Sequence, residues 1–283
     1  MENMENLLLS YLSILQSLIH KENENPTLSI ERKKSLNVEK NALLSLIGKW
    51  TSLPKTEQII PFHAIDEPFK IPSFVISLPK RSDRRIQFQK DISHPLSPLL
   101  DIRTMNAING QFLPVHNKLY RQWVGDWNYK HLPSKQLHGV VGTAISHLKC
   151  FRFMIDHSIP YMLIFEDDAT FRSNKYRQKF MSEIRHIIQH LPSTFSILYL
   201  NHWNTPRTTY NELFDSIPGS TAEAYIIHLS FATELYHFHM KKGSLGAIDK
   251  HMEICRNETN HPPFLVVKDP YFIQRDRRDS DIR

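Results

Sequence analysis

Three adjacent carboxylates, Glu166-Asp167-Asp168, stand directly after a short apolar run, Tyr161-Met162-Leu163-Ile164-Phe165. Side by side they repel one another, and a divalent cation is the natural neutraliser. In extended backbone, positions i and i+2 project the same way, so the pattern puts Glu166 and Asp168 on one site and Asp167 on the other side. Hard oxygen ligands suit Mg²⁺ or Mn²⁺, ions that keep several waters and bind substrate phosphates as well. The competing structural reading is an acidic loop capping a helix that starts near Asn174. A second group is Pro79-Lys80-Arg81-Ser82-Asp83-Arg84-Arg85, again after an apolar run. Ser82 suits a helix cap, and the arginines then lie in the first turn. Backbone N–H groups and guanidinium forks placed there suit a diphosphate. In a third group, Gly142-Thr143-Ala144-Ile145-Ser146-His147, the first two residues are expected to start a helix with Ser146 and His147 in its first turn. With 16 histidines in the chain, a structural role is the ordinary one for any of them.

These groups need elements to position them. Ser73-Phe74-Val75-Ile76-Ser77-Leu78, Tyr161 to Phe165, Phe195 to Leu200, Ala224-Tyr225-Ile226-Ile227 and Phe264-Leu265-Val266-Val267 read as short buried strands. Between them Ala144, Leu148, Phe151 and Ile155, and then Phe180, Ile184, Ile187 and Leu191, recur at helical spacing, and a further helix opens near Ser230. Buried strands alternating with amphipathic helices predict an α/β fold with a mainly parallel, Rossmann-like sheet covered on two sides. In such sheets ligands bind beyond the carboxyl ends of the strands, so the residues after each strand are the informative ones. Residues 1–70 read as a separate N-terminal helical extension, with Leu8, Leu12, Leu15 and Ile19 on one face and Leu43, Leu46, Ile47 and Trp50 on another. Residues 71–283 make the main domain.

Composition narrows the classes. The 283 residues are 41% hydrophobic and 23% charged, which excludes a disordered chain, a fibre and a coiled-coil rod. No apolar run reaches the length of a membrane span. Two cysteines, Cys150 and Cys255, exclude a disulfide scaffold and suit a reducing compartment. The first basic residue is Lys21, so no signal peptide is expected and the expected location is cytoplasmic. The net charge of +6 would permit weak attachment to an anionic membrane surface. Acidic residues interrupt each basic cluster, which argues against a nucleic-acid partner. No strand is followed by G-x-G-x-x-G, and the P-loop pattern is absent.

Taken in order, Val75 to Arg85, Asn106-Ala107-Ile108-Asn109-Gly110, Gly142 to His147 and Leu163 to Ala169 resemble glycosyltransferase family 25. This is the family of lipooligosaccharide and collagen galactosyltransferases. Ala224 to Ile227 with Ala232, Ile248-Asp249, and Pro270, Gln274 and Ser280-Asp281-Ile282 continue the likeness over residues 72–283. The resemblance implies a GT-A-like fold, a nucleotide-sugar donor with UDP favoured, and Mn²⁺ or Mg²⁺. It also implies transfer of a sugar such as galactose or glucose, with inversion, to a glycan, lipid-linked or protein hydroxyl, as in lipopolysaccharide or other glycan biosynthesis. By the same likeness Glu166 and Asp168 hold the metal, while Ser77, Leu78, Arg81, Arg84, Ser146, His147, Asp167 and Ser280 face the donor. Asp249 is the candidate base, and Asp281 competes for that role. Asn109 stands where the family more often has Asp, and residues 1–70 have no counterpart in the shared pattern. A catalytically degenerate binding module is therefore one rival expectation, and a metal-dependent nuclease is another.

Overall fold

A computed structural model of the chain describes residues 70–112, 134–193, 195–201, 205–242 and 247–275. The helical patterns expected before residue 70, and Ser280 and Asp281, lie outside the described residues. The chain runs β1 (Ile71–Ser77), α1 (Ser82–Phe88), β2 (Leu100–Asn106), α2 (Ser134–Asp156), β3 (Tyr161–Glu166), β4 (Ala169–Phe171) and α3 (Asn174–Gln189). It continues through β5 (Ile197–Tyr199), β6 (Thr208–Thr209), β7 (Phe214–Ile217), β8 (Ala224–His228), α4 (Leu229–Lys242), α5 (Ile248–Thr259), β9 (Phe264–Val267) and β10 (Phe272–Gln274). After α1 a π-helical turn, Gln89–Ser93, carries the helix on to Leu96.

Eight strands form one sheet in the order β2-β1-β3-β8-β5-β9-β7-β6, and β10 pairs with β4 in a small second sheet. The strands β2, β1, β3, β5 and β9 share one direction; β8 and β7 run against it. The period of two explains the layers. Phe74, Ile76, Met162 and Ile164 point into a core with Leu148 and Phe151 of α2, Leu235 of α4 and Met252 of α5. Val75, Leu163 and Phe165 point the other way, onto Phe88 of α1 and Phe180 and Ile184 of α3. Each such buried apolar side chain contributes roughly 1.5–3 kcal/mol of transfer free energy, and β1, between β2 and β3 and covered on both faces, is buried at every residue.

The helix expected to begin at Gly142 in fact begins at Ser134, so Ser146 and His147 lie in its middle. Gly142 is tolerated there because α2 presses on the loop after β2. A Cβ on it would lie 2.7 Å from the carbonyl oxygen of Ile108 and 2.8 Å from the Gly110 nitrogen. Ser146 fastens the same loop, its Oγ accepting from the Ile108 N–H at 2.8 Å and donating to the Gly142 carbonyl at 2.6 Å. Gly110 is tighter still, since a Cβ there would fall on the backbone carbonyl of His138. Gly110→Ala should therefore destabilise by about 3 kcal/mol through overpacking against backbone. For a domain of this size that is a drop of roughly 6–12 °C in melting temperature by circular dichroism.

Candidate active site

The shared direction of β1, β2 and β3 brings Ser77, Asn106 and Glu166 to one edge of the sheet. The antiparallel β8 delivers the residue before it to the same edge. Phe165 pairs with Ala224, and the Glu166 N–H donates to the Glu223 carbonyl at 2.9 Å. A cleft open to solvent lies along this edge. Its walls include Leu78, Lys80, Arg84, Gln111, Thr143 and Gln274 as well as the acidic triplet.

Strand β3 ends at Glu166, and Asp167 and Asp168 occupy a turn before β4. Strand alternation therefore does not apply to them, which corrects the expectation that Asp167 faces away from Asp168. Both aspartates approach Arg84: its Nη1 is 3.0 Å from Asp167 Oδ1 and 3.8 Å from Asp168 Oδ2. Ser77 Oγ donates to Asp167 Oδ2 at 2.7 Å. Arg85 ties this edge together, donating to the Ser77 carbonyl and to Asn106 Oδ1, both at 2.9 Å. The acids do not cap α3, whose N-cap is Ser173 and whose first turn holds no acidic residue. Ser82 is the first residue of α1, not its cap, and among the described residues no side chain caps that helix. Arg81 forms an ion pair with Asp83 at 2.9 Å and is not part of the cleft wall.

Glu166 turns toward His147. Its Oε1 lies 3.3 Å from His147 Nε2, and His147 Nδ1 lies 2.6 Å from the Tyr225 hydroxyl. Burial pushes the His147 imidazole down to about 3, against the pull of Asp249, so the ring is neutral near neutral pH. With the proton on Nε2 the ring donates to Glu166 and accepts from Tyr225. Asp249 sits half-buried in the first turn of α5, where its Oδ1 accepts from the Lys250 N–H at 2.8 Å. It is not part of the cleft wall, but its charge reaches Glu166.

Sequence reasoning missed Glu223 and Asn201. Asn201 donates through Nδ2 to Glu223 Oε2 at 2.6 Å and to Thr221 Oγ1 at 3.0 Å. Asn201 follows β5, so the rule of reading what comes after each strand reaches it. Glu223 precedes a strand, and only the reversed direction of β8 brings it here.

Burial dominates the electrostatics. Burial first and then the charges of Asp168 and Asp167 raise Glu166 well above the usual carboxylate range. Burial raises Asp168 although Gln274 and Arg84 oppose it. Burial and the charge of Glu166 push Glu223 up to about 8. Burial also raises Asp249.

Among the described residues no three His, Cys, Asp or Glu side chains converge as a ready-made cation cage. The arrangement fits instead an ion that takes one or two carboxylates and completes its shell with water and phosphate. Asp168 Oδ1 is buried and has no hydrogen-bond partner among the described residues. A buried acceptor left unpaired costs roughly 1–3 kcal/mol, more if charged, so a cation at this oxygen would satisfy a real deficit.

The fold and this edge define an α/β domain with an acidic cleft at the carboxyl ends of its strands. The chain belongs to glycosyltransferase family 25 (LPS biosynthesis protein), whose model matches residues 70–249. That membership supports a transferase acting on a sugar donor and an acceptor. A search of curated proteins finds no match. Among solved structures, a glycosyltransferase involved in the glycosylation of the major capsid of PBCV-1 aligns at 9% identity and a TM-score of 0.32, over 60% of this chain and 67% of that one. Mouse xyloside xylosyltransferase 1, apo form, aligns at 10% identity and 0.34, over 69% and 83%. Among the described residues no helix is long and apolar enough to cross a membrane.

Proposed function

We propose that the protein moves a hexose from a UDP-sugar to a hydroxyl of a glycan, lipid-linked or protein acceptor, by direct displacement with inversion. The observation that carries this reading is the buried Oδ1 of Asp168, unpaired among the described residues, beside Asp167 and Arg84 in the cleft at the end of β3. A bound Mn²⁺ or Mg²⁺ would supply neutralisation of the charge that grows on the departing diphosphate, with Asp168 and Glu166 as its protein ligands. Lys80 adds positive charge at the cleft wall, and Ser77 and Arg84 hold Asp167 in place. Asp249, which stands outside the cleft wall but close enough for its charge to reach Glu166, is our candidate to take the acceptor's proton as the hydroxyl oxygen bonds to the anomeric carbon and the bond from that carbon to the phosphate oxygen breaks. The cytoplasm, with weak contact to an anionic membrane surface, is the place we assign to this reaction.

The test is the full chain with Mn²⁺ and a panel of UDP-, GDP- and CMP-sugars, read by turnover and thermal shift. Mn²⁺-dependent consumption of a UDP-sugar is expected. No stabilisation by any nucleotide sugar would point to a degenerate binding module, and stabilisation by DNA to a nuclease. Asp249→Asn should lower kcat by about 100-fold or more while the donor KM stays within about threefold, the signature of a lost base. Loss of donor binding instead would move Asp249 into the cation's shell.

A further inference from the structure

We infer that Gln274, beyond the segment the family model matches, is a positioning residue that selects which oxygen of Asp168 is presented as a cation ligand. The inference rests on the metal-assisted reading above and deepens it. The Gln274 side chain donates through Nε2 to Asp168 Oδ2 at 3.1 Å, and Arg84 stands 3.8 Å from the same oxygen. Oδ1 is thereby the carboxylate oxygen left without a partner among the described residues. A carboxylate with both oxygens unpaired would rotate about its last bond. One whose Oδ2 is held has its Oδ1 in a fixed place.

Gln274 is itself held by the fold. It pairs with Ala169 in the two-stranded sheet of β10 and β4, one residue after Asp168. The next N–H, that of Arg275, donates to the Asp168 carbonyl at 2.7 Å, so the backbone on both sides of the contact is fixed. The Arg275 side chain then bonds Asp91 at 2.8 Å, in the π-helical turn that follows α1. Inside the sheet pair, Phe272 stacks on Phe171 with ring centroids 4.5 Å apart. These contacts bind the chain's last described strand to the acidic turn independently of the Gln274 amide. Removing the amide should therefore loosen the carboxylate and leave β10 in place. Contacts that orient a metal ligand typically change metal affinity by about 10–100-fold when lost.

The experiment titrates Mn²⁺ alone into the full-length protein, following free Mn²⁺ by electron paramagnetic resonance, with metal-free melting temperature measured alongside. Gln274→Leu keeps similar bulk and Gln274→Ala removes it; Asp168→Asn is the control. Both Gln274 variants should bind Mn²⁺ about 10-fold or more weakly, with metal-free melting close to wild type. In turnover the KM for Mn²⁺ should rise while kcat at saturating Mn²⁺ stays near wild type. Wild-type Mn²⁺ affinity in either folded variant, with Asp168→Asn deficient, overturns the role of Gln274 and spares the metal reading. A parallel fall in metal-free melting and Mn²⁺ binding in both variants overturns it too, since the effect is then structural. Equal Mn²⁺ binding by wild type and Asp168→Asn, or none by wild type, overturns the metal reading and this inference with it.

Discussion

Replacing Asp168 by Asn is expected to lower Mn²⁺-dependent donor turnover by at least about 100-fold while leaving the metal-free protein as stable as wild type at pH 8, or more stable. The substitution keeps shape and keeps an oxygen able to accept from Gln274, so the packing of β10 against β4 has no reason to change. What disappears is a charge. In the metal-free protein that charge is a burden, because burial raises the Asp168 carboxyl above its ordinary value and Asp167 stands beside it. A neutral amide relieves the burden. In the metal-loaded enzyme the same charge is the reason the ion stays. An amide oxygen is a weaker ligand for a hard cation, and a developing diphosphate charge stabilised by one positioned group is typically worth about 10²–10³ in rate. Opposite signs for stability and activity distinguish this account from simple misfolding. The measurement is turnover against Mn²⁺ concentration together with metal-free thermal melts. Undiminished turnover at limiting Mn²⁺ would remove Asp168 from the metal site.

How far the sequence disclosed this site depends on which physical rule each residue obeys. The strands were legible because their apolar runs are short, continuous and buried on both faces; Phe264–Val267 is found with the expected bounds. Glu166, Asp167 and Asp168 were legible as a group because they follow such a run. Their relative orientation was not, because a strand rule was extended past the strand's last residue into a turn. The start of α2 was misplaced for a similar reason. Gly142 reads as a boundary in isolation, whereas its lack of a Cβ serves a close approach to Ile108 and Gly110 that only the folded chain reveals. Glu223 was hidden by strand direction, which no local pattern encodes. Gln274 could be noticed by resemblance, but its contact with Asp168 spans 106 positions and depends on the pairing of β10 with β4.

The second large effect is in the pH dependence of stability, and it arises from Glu223. Burial first, and then the charge of Glu166, push its carboxyl from 4.5 to about 8, although a hydrogen bond from Thr221 opposes the shift. The folded protein thus keeps a proton that the unfolded chain has released. Stability from this group is complete below the unfolded value and is lost as pH rises through the folded one. Glu166, Asp168 and Asp249 are displaced the same way, each by burial first, and add to the loss. Acid pulls in the other direction: burial pushes His147 and His251 down to about 3, so their stability is present above 6.5 and fades as pH falls below it. The clean window is therefore pH 6.5 to 8. Across it Glu223 alone should cost the metal-free protein about 2 kcal/mol, at roughly 1.4 kcal/mol per pH unit. Glu223→Gln removes the titrating proton and keeps an oxygen that can accept from Asn201, so its profile should be visibly flatter. Because a cation must displace protons from neighbouring acids to bind, Mn²⁺ should stabilise the wild type more at pH 8 than at pH 6.5. Thermal melts in EDTA and in Mn²⁺ at both ends of the window read all three effects. Parallel metal-free profiles for wild type and Glu223→Gln would mean that Glu223 is already ionised in the folded protein, and that its Asn201 and Thr221 contacts compensate the charge without help from a proton.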